Sequence, residues 1–183
     1  MALGPRGAAG LCSASWAKRH PGSGPSAQTL GGTKVSAEIH MRPHAVWHYG
    51  LMAEYWALFK HDTPELPGLV ALIHRYGQPV LDLCCGTGRV LLSLIRAGID
   101  VDGIDVSEDM IELARAAAAR LGYAPSLYVQ PMSGLATVRS YRAIVIVDSF
   151  GLGGDRDEDL ATLRRCRSAL QPGGALILNT QME

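Results

Sequence analysis

The segment Val80-Leu81-Asp82-Leu83-Cys84-Cys85-Gly86-Thr87-Gly88-Arg89-Val90 holds an acid and two spaced glycines inside an otherwise apolar stretch. Gly86 and Gly88 permit positive φ and a close approach of backbone to ligand. A helix that begins after Gly88 offers unpaired amides to a polar or anionic group. Asp82 falls within a strand, where a carboxylate is costly unless it binds something. Asp105 closes the next strand, one strand-and-helix unit later, and an acid there accepts both hydroxyls of a ribose. Two classes of nucleoside ligand use this arrangement. Nicotinamide and flavin sites prefer Gly-x-Gly-x-x-Gly, but the residue three after Gly88 is Leu91 and Asp82 has no role in that scheme. A nicotinamide-dependent oxidoreductase is therefore the less favoured alternative.

The elements that position these residues follow from periodicity. Val46, Trp47, Tyr49, Met52, Tyr55, Trp56 and Phe59 recur at three- and four-residue steps and predict an aromatic-faced helix. A second helix is expected from Glu65 to Tyr76, ended by Gly77 and Pro79. Strands and helices then alternate. Strand Val80–Cys84 leads into a helix at Arg89–Ala97, and strand Asp100–Ile104 into a helix at Glu108–Leu121, which Ser107 caps. The strand Ser126–Gln130 is followed by a buried strand at Ala143–Val147. The helix Asp155–Leu170 has Leu160, Leu163 and Leu170 on one side. A Gln171-Pro172-Gly173-Gly174 turn then precedes a last strand, Ala175–Asn179. This order predicts an α/β fold: a Rossmann-like, doubly wound sheet of about five parallel strands with helices on both faces. Ligands bind such sheets at the carboxyl ends of the strands, near the switch point, and Val80–Cys84 is the candidate strand for that place.

Bulk composition sets the frame. Hydrophobic residues at 48% and charged residues at 19% suit a globular chain with a buried core. The 17 basic and 17 acidic side chains cancel, which gives no electrostatic reason to expect a nucleic-acid or anionic-membrane partner. No apolar run reaches the ~18–20 residues that cross a bilayer. Cys12, Cys84, Cys85 and Cys166 match no zinc spacing and read as reduced thiols, hence a cytoplasmic chain with no metal. Residues 1–42 are rich in Gly, Ala, Ser and Pro without a sustained period, and read as a disordered N-terminal extension ahead of a domain at 43–183. Arg6, Lys18 and Arg19 without an acid before Glu38 are also the bias of a transit peptide.

At these residues the chain resembles the class I S-adenosylmethionine-dependent methyltransferases. Their first motif, an acid followed by spaced glycines, stands here as Asp82-Leu83-Cys84-Cys85-Gly86-Thr87-Gly88. Their ribose-binding acid matches Asp105 in VDGIDVSEDMIELAR, and their Pro-Gly-Gly turn before the fifth strand matches LQPGGALILN. The resemblance implies S-adenosylmethionine as cofactor and methyl transfer to an unidentified acceptor, expected to be a small molecule, as the activity. It assigns Asp82, Cys84, Gly86, Thr87, Gly88, Asp105, Val106, Met110, Gln130, Met132 and Asp148 to the donor site. It also makes Tyr49 and Trp56 of the first helix, with Phe150, a lid over donor or acceptor. An aromatic face near a sulfonium can add cation–π attraction.

Three departures from the family pattern carry expectations of their own. Cys84 replaces the first glycine and is expected to fit if its φ stays negative. Pro131 stands where many members carry an adenine-binding acid, which leaves that task to Gln130 or to backbone near Gln130 and Met132. The sequence stops before the family's terminal helix and hairpin, which leaves Ala175–Asn179 as an expected open edge. That ending supports a second reading, a truncated module that binds the donor without transferring its methyl group. No catalytic side chain is assigned. Beside Trp47, His48 reads as structural or exposed, the Cys84–Cys85 thiols as packing groups, and Arg164, Arg165 and Arg167 as a solvated face.

Overall fold

The computed structural model describes residues 48–137, 139–152 and 155–179. The expectations for residues 1–47, including the extension, Cys12 and the first turn of the aromatic helix, lie outside the described residues. Two helices, α1 (Leu51–Phe59) and α2 (Leu66–Tyr76), precede an alternating series. The series runs β1 (Val80–Leu83), α3 (Arg89–Arg96), β2 (Val101–Asp105), α4 (Glu108–Arg120), β3 (Leu127–Val129), β4 (Tyr141–Ile146), α5 (Arg156–Ala169) and β5 (Leu170–Leu178). The five strands form one sheet in the order β3-β2-β1-β4-β5, and every pairing is parallel. The chain winds outward from β1 to β3 and then returns to β4 on the other side of β1. The carboxyl ends of β1 and β4 therefore flank the switch point, where such sheets leave a crevice.

Strand alternation builds two cores. Val80, Val101, Ala143 and Val145 meet Leu69 and Ile73 of α2, Val90, Leu91 and Leu94 of α3, and Ile111, Ala114 and Ala118 of α4. Leu81, Leu83, Ile104, Ile144 and Ile146 meet Cys166 and Ala169 of α5 on the other face. Ser107 caps α4 as expected, its hydroxyl accepting the Met110 amide at 3.2 Å, with Glu108 and Asp109 in the first turn. Asp155 caps α5 by accepting the Glu158 amide at 2.9 Å.

Three expectations are corrected here. In α5 the inward stripe is Thr162, Cys166 and Ala169, while Leu160 and Leu163 stand exposed. Small side chains bring the helix close to the sheet, and Leu163 instead borders a hollow of about 450 Å³ with Arg167, Leu170, Pro172 and Leu176. The Pro172-Gly173-Gly174 segment is an irregularity inside β5 and not a turn before it: the β4–β5 register shifts between Tyr141 and Ala143, and Gly173 has φ +74°. A Cβ on Gly174 would lie 2.9 Å from the Arg142 carbonyl, so only glycine lets the strands close there. Finally, α1 buries only Ala53, and its aromatic face is largely open, with Tyr55 52% and Phe59 65% exposed.

Candidate functional site at the carboxyl edge of the sheet

Asp82 lies on the face of β1 that meets α3. It is 2% exposed, and its Oδ2 has no hydrogen-bond partner. Burial raises its pKa to about 7, against the pull of the Leu91 amide and the Arg89 charge, while Asp105 and Glu65 push it further up. An unpartnered buried carboxylate oxygen is expensive. A cation placed beside it would satisfy the oxygen and hold the group ionised.

Asp105 ends β2, across the turn from Asp82. The Gly86 amide donates to its Oδ2 and the Ser107 amide to its Oδ1, both at 2.9 Å. Each carboxylate oxygen has two lone pairs. With one amide on each, both keep capacity for a further donor, and the two amides aim the carboxylate. That is the geometry for a vicinal diol. The turn above is held to β2 by the Cys84 and Cys85 amides, which donate to the Ile104 carbonyl at 2.7 and 2.9 Å. Gly86 has φ +54°, and Gly88, the N-cap of α3, has φ +89°.

The expectation of a negative φ at Cys84 is overturned: Cys84 has φ +68°, the left-handed region that its glycine counterpart tolerates freely. The turn's path, fixed by the two amides on Ile104, decides the backbone there, and the side chain accepts the strain. Cys85 is buried in the first core, and Cys84 is half-buried. Burial pushes the Cys84 and Cys85 pKa values up, which keeps the thiols neutral. Leu91, which replaces the third glycine of dinucleotide sites, is fully buried. The close helix–strand approach is achieved from the other side. A Cβ on Gly103 of β2 would lie 2.8 Å from Leu91 Cδ1, 2.7 Å from Leu127 Cδ2 and 3.0 Å from Cys85 Sγ. The small residue sits on the strand and the large one on the helix.

The remaining candidates divide. Thr87 is half-buried within the turn, and Val106 is exposed directly after Asp105. The Tyr49 hydroxyl donates to the Val106 carbonyl at 3.4 Å, the Gly50 amide to an Asp109 carboxylate oxygen, and the Ser107 hydroxyl to the His48 carbonyl. The segment before α1 is thereby laid against the β2–α4 connection, beside Asp105. Trp56 is half-buried, with the Lys60 ammonium 5.1 Å from its ring centre, so its cation partner is internal. Met110, in the first turn of α4, is buried at 3% exposure, as Asp82 and Asp105 are. The Gln130 side chain is corrected in part, because its Oε1 accepts the Ala136 amide at 3.0 Å and so shapes its own loop. Met132 and Phe150 are half-buried against the second core.

Asp148 follows β4 with φ +54°. Its amide donates to Asn179 Oδ1 and its Oδ1 accepts from Asn179 Nδ2, both at 2.7 Å. Its Oδ2 accepts from Arg89 Nη2 at 3.2 Å. Arg89 also donates through Nη1 to the Asp62 carbonyl at 2.6 Å and to Glu65 Oε1. Sequence reasoning missed Arg89, Glu65 and Asn179. One signal was present: a cation at the first position of α3 stands against the helix dipole.

Comparison with known proteins agrees with this geometry. A family model described as a methyltransferase domain matches residues 80–174, just over half of the chain. A ubiquinone biosynthesis O-methyltransferase of Xanthomonas axonopodis pv. citri is 32% identical over 112 residues, which cover 60% of this chain and 46% of that protein. The chain thus spans about half the length of the curated relatives it matches. Among solved structures, Streptomyces venezuelae DesVI shares 27% identity at a TM-score of 0.56, covering 68% of this chain and 53% of that one. An S-adenosylmethionine-dependent methyltransferase from Clostridium acetobutylicum shares the fold at a TM-score of 0.59 and 23% identity, covering 68% of this chain and 54% of its own. No described helix is long and apolar enough to cross a membrane. With its five-stranded parallel sheet, its glycine turn and the acid at the end of β2, the chain belongs to the methyltransferase-domain family, in the class I fold of the S-adenosylmethionine-dependent enzymes.

Proposed function

We propose that this chain binds S-adenosylmethionine across the carboxyl ends of β1 and β2 and transfers its methyl group to a small-molecule acceptor. The observation that carries the reading is Asp82, a buried carboxylate with an unpartnered oxygen beside the glycine turn. Asp105 supports it with two oxygens aimed by amides and still able to accept. These residues fit the donor's chemistry: Asp105 suits the ribose hydroxyls, Gly86 and Gly88 admit close backbone approach, and Asp82 suits the donor's positive charge. Exposed Val106 beside Asp105 offers an apolar surface to a flat ring.

When bound, S-adenosylmethionine supplies an electrophilic methyl group on a sulfonium for in-line displacement by an acceptor oxygen or nitrogen. The chain's own part is to hold and orient the reactants. The Asp148 turn follows β4 at the switch point, and the Tyr49 segment lies against Val106 at the end of β2. A relative named for O-methylation in ubiquinone biosynthesis favours an oxygen acceptor on a small molecule. The free Cys84, Cys85 and Cys166 suit a reducing cytoplasm.

Calorimetric titration with S-adenosylmethionine and with NAD tests the binding step. Binding of S-adenosylmethionine and no response to NAD is expected, and the reverse result would overturn the reading. Transfer of a labelled methyl group across a panel of phenols and amines then separates an enzyme from a module that only holds the donor.

A further inference from the structure

Arg89 breaks a local rule. As the first residue of α3 it puts a cation at the positive end of the helix, where the macrodipole disfavours it. Nor is its charge used on the nearest buried acid. Asp82 feels the Arg89 charge, yet Asp82 Oδ2 has no partner. The guanidinium instead reaches two ways, with its side chain 17% exposed. Nη1 donates to the Asp62 carbonyl at 2.6 Å and to Glu65 Oε1, which are the connection from α1 to α2 and the N-cap of α2. Nη2 donates to Asp148 Oδ2 at 3.2 Å. Asp148 is itself fixed in a left-handed conformation by the two bonds to Asn179, beyond the end of β5. One planar fork therefore joins the α1–α2 connection, the donor turn, and the chain just beyond β4 and β5, a task that suits arginine better than a point charge. A residue that violates a helix preference while closing a network across several elements is placed for the site and not for its own helix.

We propose that Arg89 is a positioning residue that clamps the α1–α2 connection and the Asp148 turn onto the donor turn, so that filling the donor site tightens the α1–α2 segment. Glu65 and Asp148, by engaging the guanidinium, hold it off Asp82 and leave that carboxylate for the donor's own positive charge. The inference rests on the donor-site reading above.

Hydrogen exchange on the whole chain, with and without S-adenosylhomocysteine, tests it in wild type, Arg89→Met, Arg89→Lys and Glu65→Gln. In ligand-free Arg89→Met, amides across Leu51–Glu65 are expected to exchange about tenfold faster than in wild type, while those of β1 and β4 keep their wild-type rates. S-Adenosylhomocysteine should slow exchange in both the donor turn and Leu51–Glu65 of wild type, but only in the donor turn of Arg89→Met. Arg89→Lys should recover part of the effect, because an ammonium reaches one carboxylate at a time. Glu65→Gln frees the guanidinium toward Asp82 and should weaken S-adenosylhomocysteine binding about three- to tenfold by calorimetry. Equal ligand-induced protection of Leu51–Glu65 in wild type and Arg89→Met would overturn the clamp. So would faster exchange in β1 and β4 as well, the mark of a residue needed only for stability. Unchanged or tighter binding by Glu65→Gln would overturn the holding-off of Arg89. Failure of wild type to bind S-adenosylhomocysteine at all would instead overturn the donor reading, and the ligand-free exchange rates would still report on the clamp.

Discussion

Asp82 of β1 and Asp102 of β2 lie one rung apart: Leu81 pairs with Asp102, and Asp82 with Gly103. They point to opposite faces of the sheet, and both are buried. Asp102 is closed in. It accepts the Tyr141 hydroxyl at 2.9 Å, and Arg139 Nε lies 3.2 Å from the same oxygen while its Nη2 reaches Asp100 at 2.9 Å. The Arg139 guanidinium also lies 5.3 Å from the Tyr141 ring centre. Asp82 has an orphaned oxygen and sits beside the strained Cys84. The same side chain, in the same sheet, is bonded within the fold once and left with an unpartnered oxygen once. What separates the two is the partner on hand: Asp102 Oδ2 accepts a hydroxyl from within the fold, whereas Asp82 Oδ2, beside the glycine turn, accepts none.

The largest effect should come from the closed side. Asp102→Ala strands the buried Tyr141 hydroxyl and leaves Arg139 to Asp100 alone, and urea denaturation should show a loss of about 1–3 kcal/mol. Affinity of the folded protein for S-adenosylhomocysteine should be unchanged, and a marked affinity loss would erase the distinction between the two aspartates. Asp82→Asn should do the opposite. Donor affinity should fall about 10- to 100-fold, the loss of one charged contact, while stability at neutral pH holds or rises. The sign follows from linkage. The folded Asp82 pKa of about 7 lies above the ordinary carboxyl value of 3.8, so the native state binds the proton more tightly and stability is lost as pH rises between the two values. An amide removes that loss.

Two packing changes sharpen the comparison further. Gly103→Ala puts a Cβ against Leu91 and Leu127 beneath the donor turn and should destabilise by about 1–3 kcal/mol in the same denaturation assay. At the smallest end, Cys84→Gly removes a left-handed side chain. Net of the unfolded-state entropy that glycine adds, it should raise stability by about 0.5–1 kcal/mol. A drop in melting temperature would show that the Cys84 side chain contributes more than its backbone costs.

Much of this molecule was legible from local signals. The Ser107 cap, the glycine turn and the acid closing β2 are each set by a few adjacent residues, and the structure places them as read. What escaped depends on partners far along the chain. The φ of Cys84 is imposed by Ile104, twenty residues on, through two amide bonds. Arg89 meets Asp62 and Glu65 of the α1–α2 connection and Asp148 after β4, and no spacing pattern encodes that meeting. Leucine periodicity misled in α5, because close approach to the sheet selects small residues, and the stripe Thr162, Cys166, Ala169 wins over Leu160 and Leu163. The Gly-to-Leu exchange at Leu91 is understandable only with Gly103 in view.

The central claim is that Asp82 is held ready for a cationic group of the methyl donor. Calorimetric titration of S-adenosylmethionine across neutral pH, in wild type and in Asp82→Asn, tests it most directly. Binding that requires the ionised carboxylate must release a proton wherever Asp82 starts protonated. Wild-type affinity should therefore fall by up to about tenfold for each pH unit below 7 and level off above it, while the Asp82→Asn profile stays flat. Parallel profiles for the two proteins would contradict the account.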